Sequence, residues 1–333
     1  MTVDKTQSPP STPNFLKAIK TGFDATSNHI HLILFPIALD LLLWLGPHLR
    51  LTQLIRSIVD QLLSFQGVTD AAAQDLMKAG QEMWLLLADR FNLLSALRSY
   101  PIGIPSLMTS RLPIEIPGGS PVMWELHSVW SVLGIWVLLS LLGLILGTLY
   151  FTIVTQAAIS GEVHWGQALR QWPQLAFRVV LLALFWVGLL GILAFPMACI
   201  TSIAAVGGFA MIQCAMLIYG GFALWLIFPL LLSSQGVFVN QLKVFASIKA
   251  SSQLTRLTFS STALFFLSVI LLSKGLDMLW QVPPENSWLT LIGVVGHAFI
   301  TTGLLAASFV YYRDADHWTQ EVLRQLKTNA TKV

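Results

Sequence analysis

The chain has 333 residues, of which 55% are hydrophobic and only 11% charged, with a formal net charge of +3. A soluble domain carries about 25% charged residues, so this composition excludes an ordinary soluble protein. With no Lys/Arg block or basic stripe, the electrostatic footprint of nucleic-acid binding is missing too.

Residues 1 to 12, with the stretch QSPPSTP, are polar and Pro-rich and are expected to be disordered. Residues 13 to 28 place Phe15, Ile19 and Phe23 at helical spacing, with Lys17, Lys20 and Asp24 on the flanks. That pattern predicts a short amphipathic helix lying at a membrane interface. The run IHLILFPIALDLLLWLGP, Ile30 to Pro47, is long enough to cross a bilayer. It ends in LGP and not in a small-residue cleavage site, so it reads as a retained first span, with Trp44 as its interfacial aromatic. Asp40 stands near its middle, where a charge costs about 3 kcal/mol on insertion scales.

Residues 48 to 125 regain charges of both signs and read as an extracytoplasmic helical insert. Two amphipathic helices are expected, the longer with Met83, Leu87, Phe91 and Leu94 on one stripe, followed by the Pro/Gly-rich loop YPIGIPSLMTSRLPIEIPGGSP. Residues 126 to 312 then read as a five-span bundle. The second span, about Ser128 to Thr155, carries Gly143 and Gly147 at a spacing that favours close helix packing, with dimerisation as the alternative use. The third and fourth spans, about 178 to 201 and 209 to 233, are separated by TSIAAVGG and predict a tight hairpin. Cys199 and Cys214, the only cysteines, read as small buried hydrophobes in this region. The fifth and sixth spans, about 257 to 280 and 288 to 312, are joined by QVPPENS. Residues 313 to 333 end the chain as an amphipathic tail with Trp318, Val322 and Leu326 four apart.

Basic residues near span ends are retained on the cytoplasmic side. The amino-terminal segment, the 156–178 and 234–256 connections and the tail hold 12 Lys/Arg, whereas the opposite short connections hold only Lys274 at a helix end. The expectation is a multi-pass plasma-membrane protein of all-α class, with both termini cytoplasmic.

A small-aliphatic-basic triplet precedes each odd-numbered span: AIK at 18 to 20, ALR at 168 to 170 and SIK at 247 to 249. It suggests one unit, an interfacial helix plus a hairpin, used three times; the positive-inside rule alone is the competing explanation. In the second copy Trp165, Leu169 and Trp172 form the apolar stripe and Pro173 opens the third span; in the third copy the stripe is Phe238, Leu242, Phe245 and Ile248.

With FPLLLSSQGVFVNQLKVFASIKASSQLTR leading into the fifth span, residues 128 to 312 resemble the membrane domain of some bacterial glycerophosphodiester phosphodiesterases and related stand-alone six-span proteins. The soluble phosphodiesterase barrel of those enzymes is missing from this sequence and the 48–125 insert departs from their pattern. The resemblance therefore implies an architecture and not a reaction.

No HExxH, GxSxG, Walker A or CxxC motif occurs. His29 and His31, two apart, do not share a helix face and read as interfacial polar residues; no metal or cofactor is expected. The intramembrane polar candidates are Asp40, His297, Lys274 and Asp277, with Lys274 and Asp277 spaced for an ion pair. Asp40 and His297 fall at comparable depth, and a contact between them would be either a proton or ion relay or a structural tie. The leading functional expectation is a non-enzymatic protein that organises the membrane or binds a partner, whether the lipid bilayer, a membrane protein or a second copy. A small-solute or ion transporter using Asp40 and His297, and a membrane-embedded enzyme acting on lipid, are the alternatives.

Overall fold

The structure is a computed structural model that describes residues 12–64, 71–204 and 209–330. Residues 1 to 11 of the expected disordered start (1 to 12) and the tip of the third-to-fourth hairpin (205 to 208) lie outside the described residues. The chain is overwhelmingly helical. Five stretches are long and apolar enough to cross a membrane: Val129–Ser160, Trp165–Thr201, Ala210–Val239, Phe259–Trp280 and Thr290–Leu326. A sixth arises only if Phe15–Asn28 and Ile30–Leu45, bent by 92°, count as one. Ile30–Leu45 is shorter than the expected first span, because its first turn is a 3-10 helix (Ile30–Ile33) and Gly46 caps its end.

Contacts divide the chain into two compact units. The first comprises residues 1–29, 151–272 and 302–333. It contains α1 (Phe15–Asn28), the end of α6 (Val129–Ser160), α7 (Trp165–Ala204), α8 (Phe209–Ile227), α9 (Ser233–Val239), α10 (Val244–Leu257), and parts of α11 (Phe259–Trp280) and α12 (Thr290–Ala330). Its core gathers around α12, where Leu304, Ala307, Val310, Tyr312 and Ala315 are buried, with Phe309 edge-on to Phe151 and Tyr311 stacked on Phe265 at 4.5 Å. Gly22 of α1 crosses α12 so closely that an added Cβ would meet the Gly303 carbonyl at 2.5 Å, and Phe23 covers Gly303 in return.

The triplets share one burial pattern. Ala18, Ala168 and Ser247 are buried, whereas Lys20, Arg170 and Lys249 are exposed. The small residue is in each case what lets the helix approach, and Ser247 adds a hydrogen bond to the Ser233 carbonyl. The helices around the triplets differ from expectation. Pro173 does not open a span but sits inside the continuous helix Trp165–Ala204. The third stripe is broken at residues 240 to 243, where Gln241 has φ +50°, so Phe238 is buried on α9 while Phe245 is exposed on α10. The tail is not a separate helix but the continuation of α12. Cys199 and Cys214 are exposed on α7 and α8 instead of buried, since these helices show most of their surface outward.

The second unit comprises residues 30–150 and 273–301. It holds α2 (Leu34–Leu45), α3 (Thr52–Ser64), α4 (Ala71–Arg90), α5 (Met108–Arg111), a 3-10 turn at Leu93–Leu97, and the adjoining parts of α6, α11 and α12. Its two amphipathic helices are where the sequence puts them, but α4 stops at Arg90 and Asn92 caps the 3-10 turn, which removes Phe91 and Leu94 from the expected stripe. A short ladder was not expected: β1 (His48–Arg50) pairs in parallel with β2 (Met123–Glu125) and closes the 48–125 segment at its base. Three residues are too few to register as periodicity.

Replacing Gly22 with valine drives a branched side chain into the α12 backbone, which cannot yield. The expected loss is about 1–3 kcal/mol, read as a lower midpoint of thermal unfolding in detergent, with Gly80→Val, where the added Cβ meets nothing, as the neutral comparison.

Candidate functional site

Asp40 is fully buried on α2, and both carboxylate oxygens are occupied. Ser106 Oγ donates to Oδ1 at 2.5 Å, the Met108 amide donates to Oδ1 at 3.0 Å, and the Leu107 amide donates to Oδ2 at 3.1 Å. A carboxylate accepts strongly through both oxygens, so it satisfies backbone donors that the one-turn helix α5 leaves open. Ser106 accepts in turn from the Thr109 amide, and Arg98 donates to Thr109 Oγ1 at 2.7 Å.

The segment Asp40 holds is non-helical backbone from the loop after the 3-10 turn; its apolar residues Ile102, Ile104 and Leu107 are buried, as is Leu97 at the end of the turn. The segment lies directly on α6. An added Cβ at Gly147 would sit 3.0 Å from the Gly103 Cα, and one at Gly143 would strike the Leu97 carbonyl. Gly143 and Gly147 therefore do not pack another helix, as their spacing suggests; they receive a loop. Their missing side chains make room for carbonyl backbone, which sequence spacing cannot tell from a helix.

Glu285, in the connection before α12, is a hub that sequence reasoning missed. Its carboxylate accepts from Arg90 at 3.2 Å and from the Ile114 amide at 2.9 Å, and its carbonyl accepts from Trp44 Nε1 at 3.0 Å. Trp44 is thus wholly buried, edge-on to Trp288, and not an interfacial anchor; its indole N–H has a protein partner. Arg111 also donates to the Pro283 carbonyl. Burial holds the Arg111 guanidinium below its ordinary value, against the favourable charge of Glu285. No sequence signal marked Glu285, because its partners lie far away along the chain.

His297 does not hydrogen-bond Asp40. Its Nδ1 donates to Asp277 Oδ1 at 2.7 Å, and Lys274 Nζ stands 3.5 Å from Asp277 Oδ2 as the expected i, i+3 ion pair. The chain of groups runs from Lys274, whose side chain is 68% exposed, to His297, which is 4% exposed. His297 Nε2 is buried without a hydrogen-bond partner, and His297 lies within electrostatic range of Asp40. The small residues before His297 do admit a neighbour: Trp280 of α11 packs over Gly293 and Gly296. His29, in the first unit, bonds the Gly161 carbonyl at 3.0 Å. Among the described residues no group of three or more His, Cys, Asp or Glu is placed to hold a metal.

No protein-family model, curated protein or solved structure matches the chain.

Gly143→Leu should displace the loop while sparing the helices. Limited proteolysis within residues 93 to 112 is expected to speed up about fivefold or more, as an overpacking cost of about 1–3 kcal/mol implies. His48 provides a pH test outside the spans. Burial, reinforced by the Arg50 charge and opposed by the bond its Nε2 donates to the Leu43 carbonyl, lowers its pKa. Its stabilising contribution is therefore complete above the ordinary value of about 6.5 and is lost as pH falls below it. The melting midpoint of the wild type should drop between pH 6.5 and 5, and His48→Gln should flatten that slope.

Proposed function

We propose that this chain is a non-enzymatic integral membrane protein of six spans, with both termini cytoplasmic in the plasma membrane, that organises the membrane or binds a partner within it. The observation that carries this reading is the state of Asp40. A relay carboxylate needs a free oxygen or a water-filled approach, whereas this one is fully buried and spends its oxygens on Ser106, Leu107 and Met108. The costly carboxylate acts as a latch for the irregular stretch 98 to 107, since buried backbone N–H groups outside regular structure need a partner.

Partner binding draws support from the outward-facing spans. On α8, Met211, Leu217, Ile218, Leu224 and Trp225 are all exposed, so this helix leaves a broad apolar surface for lipid or another membrane protein.

The second reading, a transporter of ions or small solutes, draws on the unpartnered Nε2 of His297 beside Asp277. Asp40→Asn separates the two. The amide puts a donor against the Leu107 N–H, so the latch reading expects a stability loss of about 1–3 kcal/mol and proton or cation flux in liposomes indistinguishable from the wild type. Flux present in the wild type and abolished in Asp40→Asn, with an unchanged melting midpoint, would establish the relay.

A further inference from the structure

The first unit contains an open cleft of about 790 Å³, a volume typical of small-molecule sites. It lies where the start of α1, the end of α10 and the first turn of α11 meet. Its chemistry is one-sided. Among the described residues, Arg256 is the only charged residue that lines it, and no Asp or Glu does. Arg256 is exposed and makes no ion pair among the described residues. Asn14 spends its side-chain oxygen on the Leu16 and Lys17 amides at 3.0 and 3.2 Å, which leaves its amide NH₂ as a donor. Ser260, in the first turn of α11, adds a hydroxyl. The polar end of the cleft therefore offers donors and a cation to an anion.

The other end is apolar and continues out of the cleft. Leu264 lines it and is exposed, and Leu267 and Leu271, also exposed, follow on the same face of α11. Residues 264 to 271 cover about 10 Å of helix at 1.5 Å per residue, on one of the stretches apolar enough to cross a membrane. The planar fork of a guanidinium suits a phosphate, and a greasy track along a span suits an acyl chain.

We infer that this cleft binds an anionic phospholipid, with the phosphate at Arg256, Asn14 and Ser260 and an acyl chain along Leu264, Leu267 and Leu271. The inference goes beyond the reading above and depends on the membrane placement of α11 but not on the role of Asp40. A free phosphate would use the same donors and has no use for the leucine track.

Native mass spectrometry of the purified full chain in detergent tests it, with phosphatidylglycerol and phosphatidylcholine of identical acyl chains at equal concentration. The wild type should retain phosphatidylglycerol preferentially, and Arg256→Gln should cut that preference about fivefold, the worth of one basic residue at a membrane surface. Arg256→Lys should keep most of it, and Lys249→Gln, the same charge change at an exposed position outside the cleft, should keep all of it. Ser260→Glu should abolish it by placing a carboxylate among the donors. Equal retention of the two lipids by the wild type, or equal losses in Arg256→Gln and Lys249→Gln, would overturn the inference. So would displacement of the lipid by an equimolar amount of inorganic phosphate, which would mean that the acyl track contributes nothing.

Discussion

Everything in the second unit leans on a carboxylate that accepts hydrogen bonds from a serine hydroxyl and successive backbone amides. Without Asp40 the Leu107 and Met108 N–H groups would be buried and unpaired, and each such group costs about 1–3 kcal/mol. With it, residues 98 to 107 can leave helical geometry while Ile102, Ile104, Ser106 and Leu107 stay buried. The rest follows by contact: Gly143 and Gly147 lack side chains where the loop backbone lies, and Ser106 is fixed between Asp40 and the Thr109 amide. Glu285 secures the far side, where its carboxylate joins Arg90 and Ile114 and its carbonyl holds Trp44. A neutral acceptor at position 40 would present only one oxygen to these donors.

The first unit obeys a different rule. In lipid there is little hydrophobic drive to bring helices together, so close approach and interhelical hydrogen bonds decide the packing. Ala18, Gly22, Ala168 and Ser247 provide the approach. The bonds come from Ser247 to the Ser233 carbonyl, Ser251 to the Pro229 carbonyl and Gln235 to Ser308. These contacts gather on the α12 side of the unit and leave α8 with its apolar surface outward, which is where the proposed role in lipid or partner binding resides.

Local features were legible in the sequence. Runs of apolar residues located the long spans, helical spacing located α1, α3 and α4, and the three-residue spacing of Lys274 and Asp277 foretold their ion pair. What escaped was long-range. Asp40 stood out as costly, but its partners lie some 66 residues away in a Pro/Gly-rich stretch that carries no periodic signal. The sequence puts His297 and Asp40 at comparable depth, but depth along two spans says nothing of which face each residue occupies; Asp277 takes the His297 Nδ1, and His297 reaches Asp40 through charge alone. Trp44 looked interfacial from its position near a span end, and only the Glu285 carbonyl explains its burial. The glycine pair announced a close approach without saying what approaches.

The most direct measurement is hydrogen–deuterium exchange of the backbone amides of residues 93 to 112 in the wild type and in Asp40→Ala. The latch account predicts that Leu107 and Met108 are strongly protected in the wild type and that the whole segment loses protection in the variant, while α12 keeps its own. Equal protection of this segment in both proteins would contradict it.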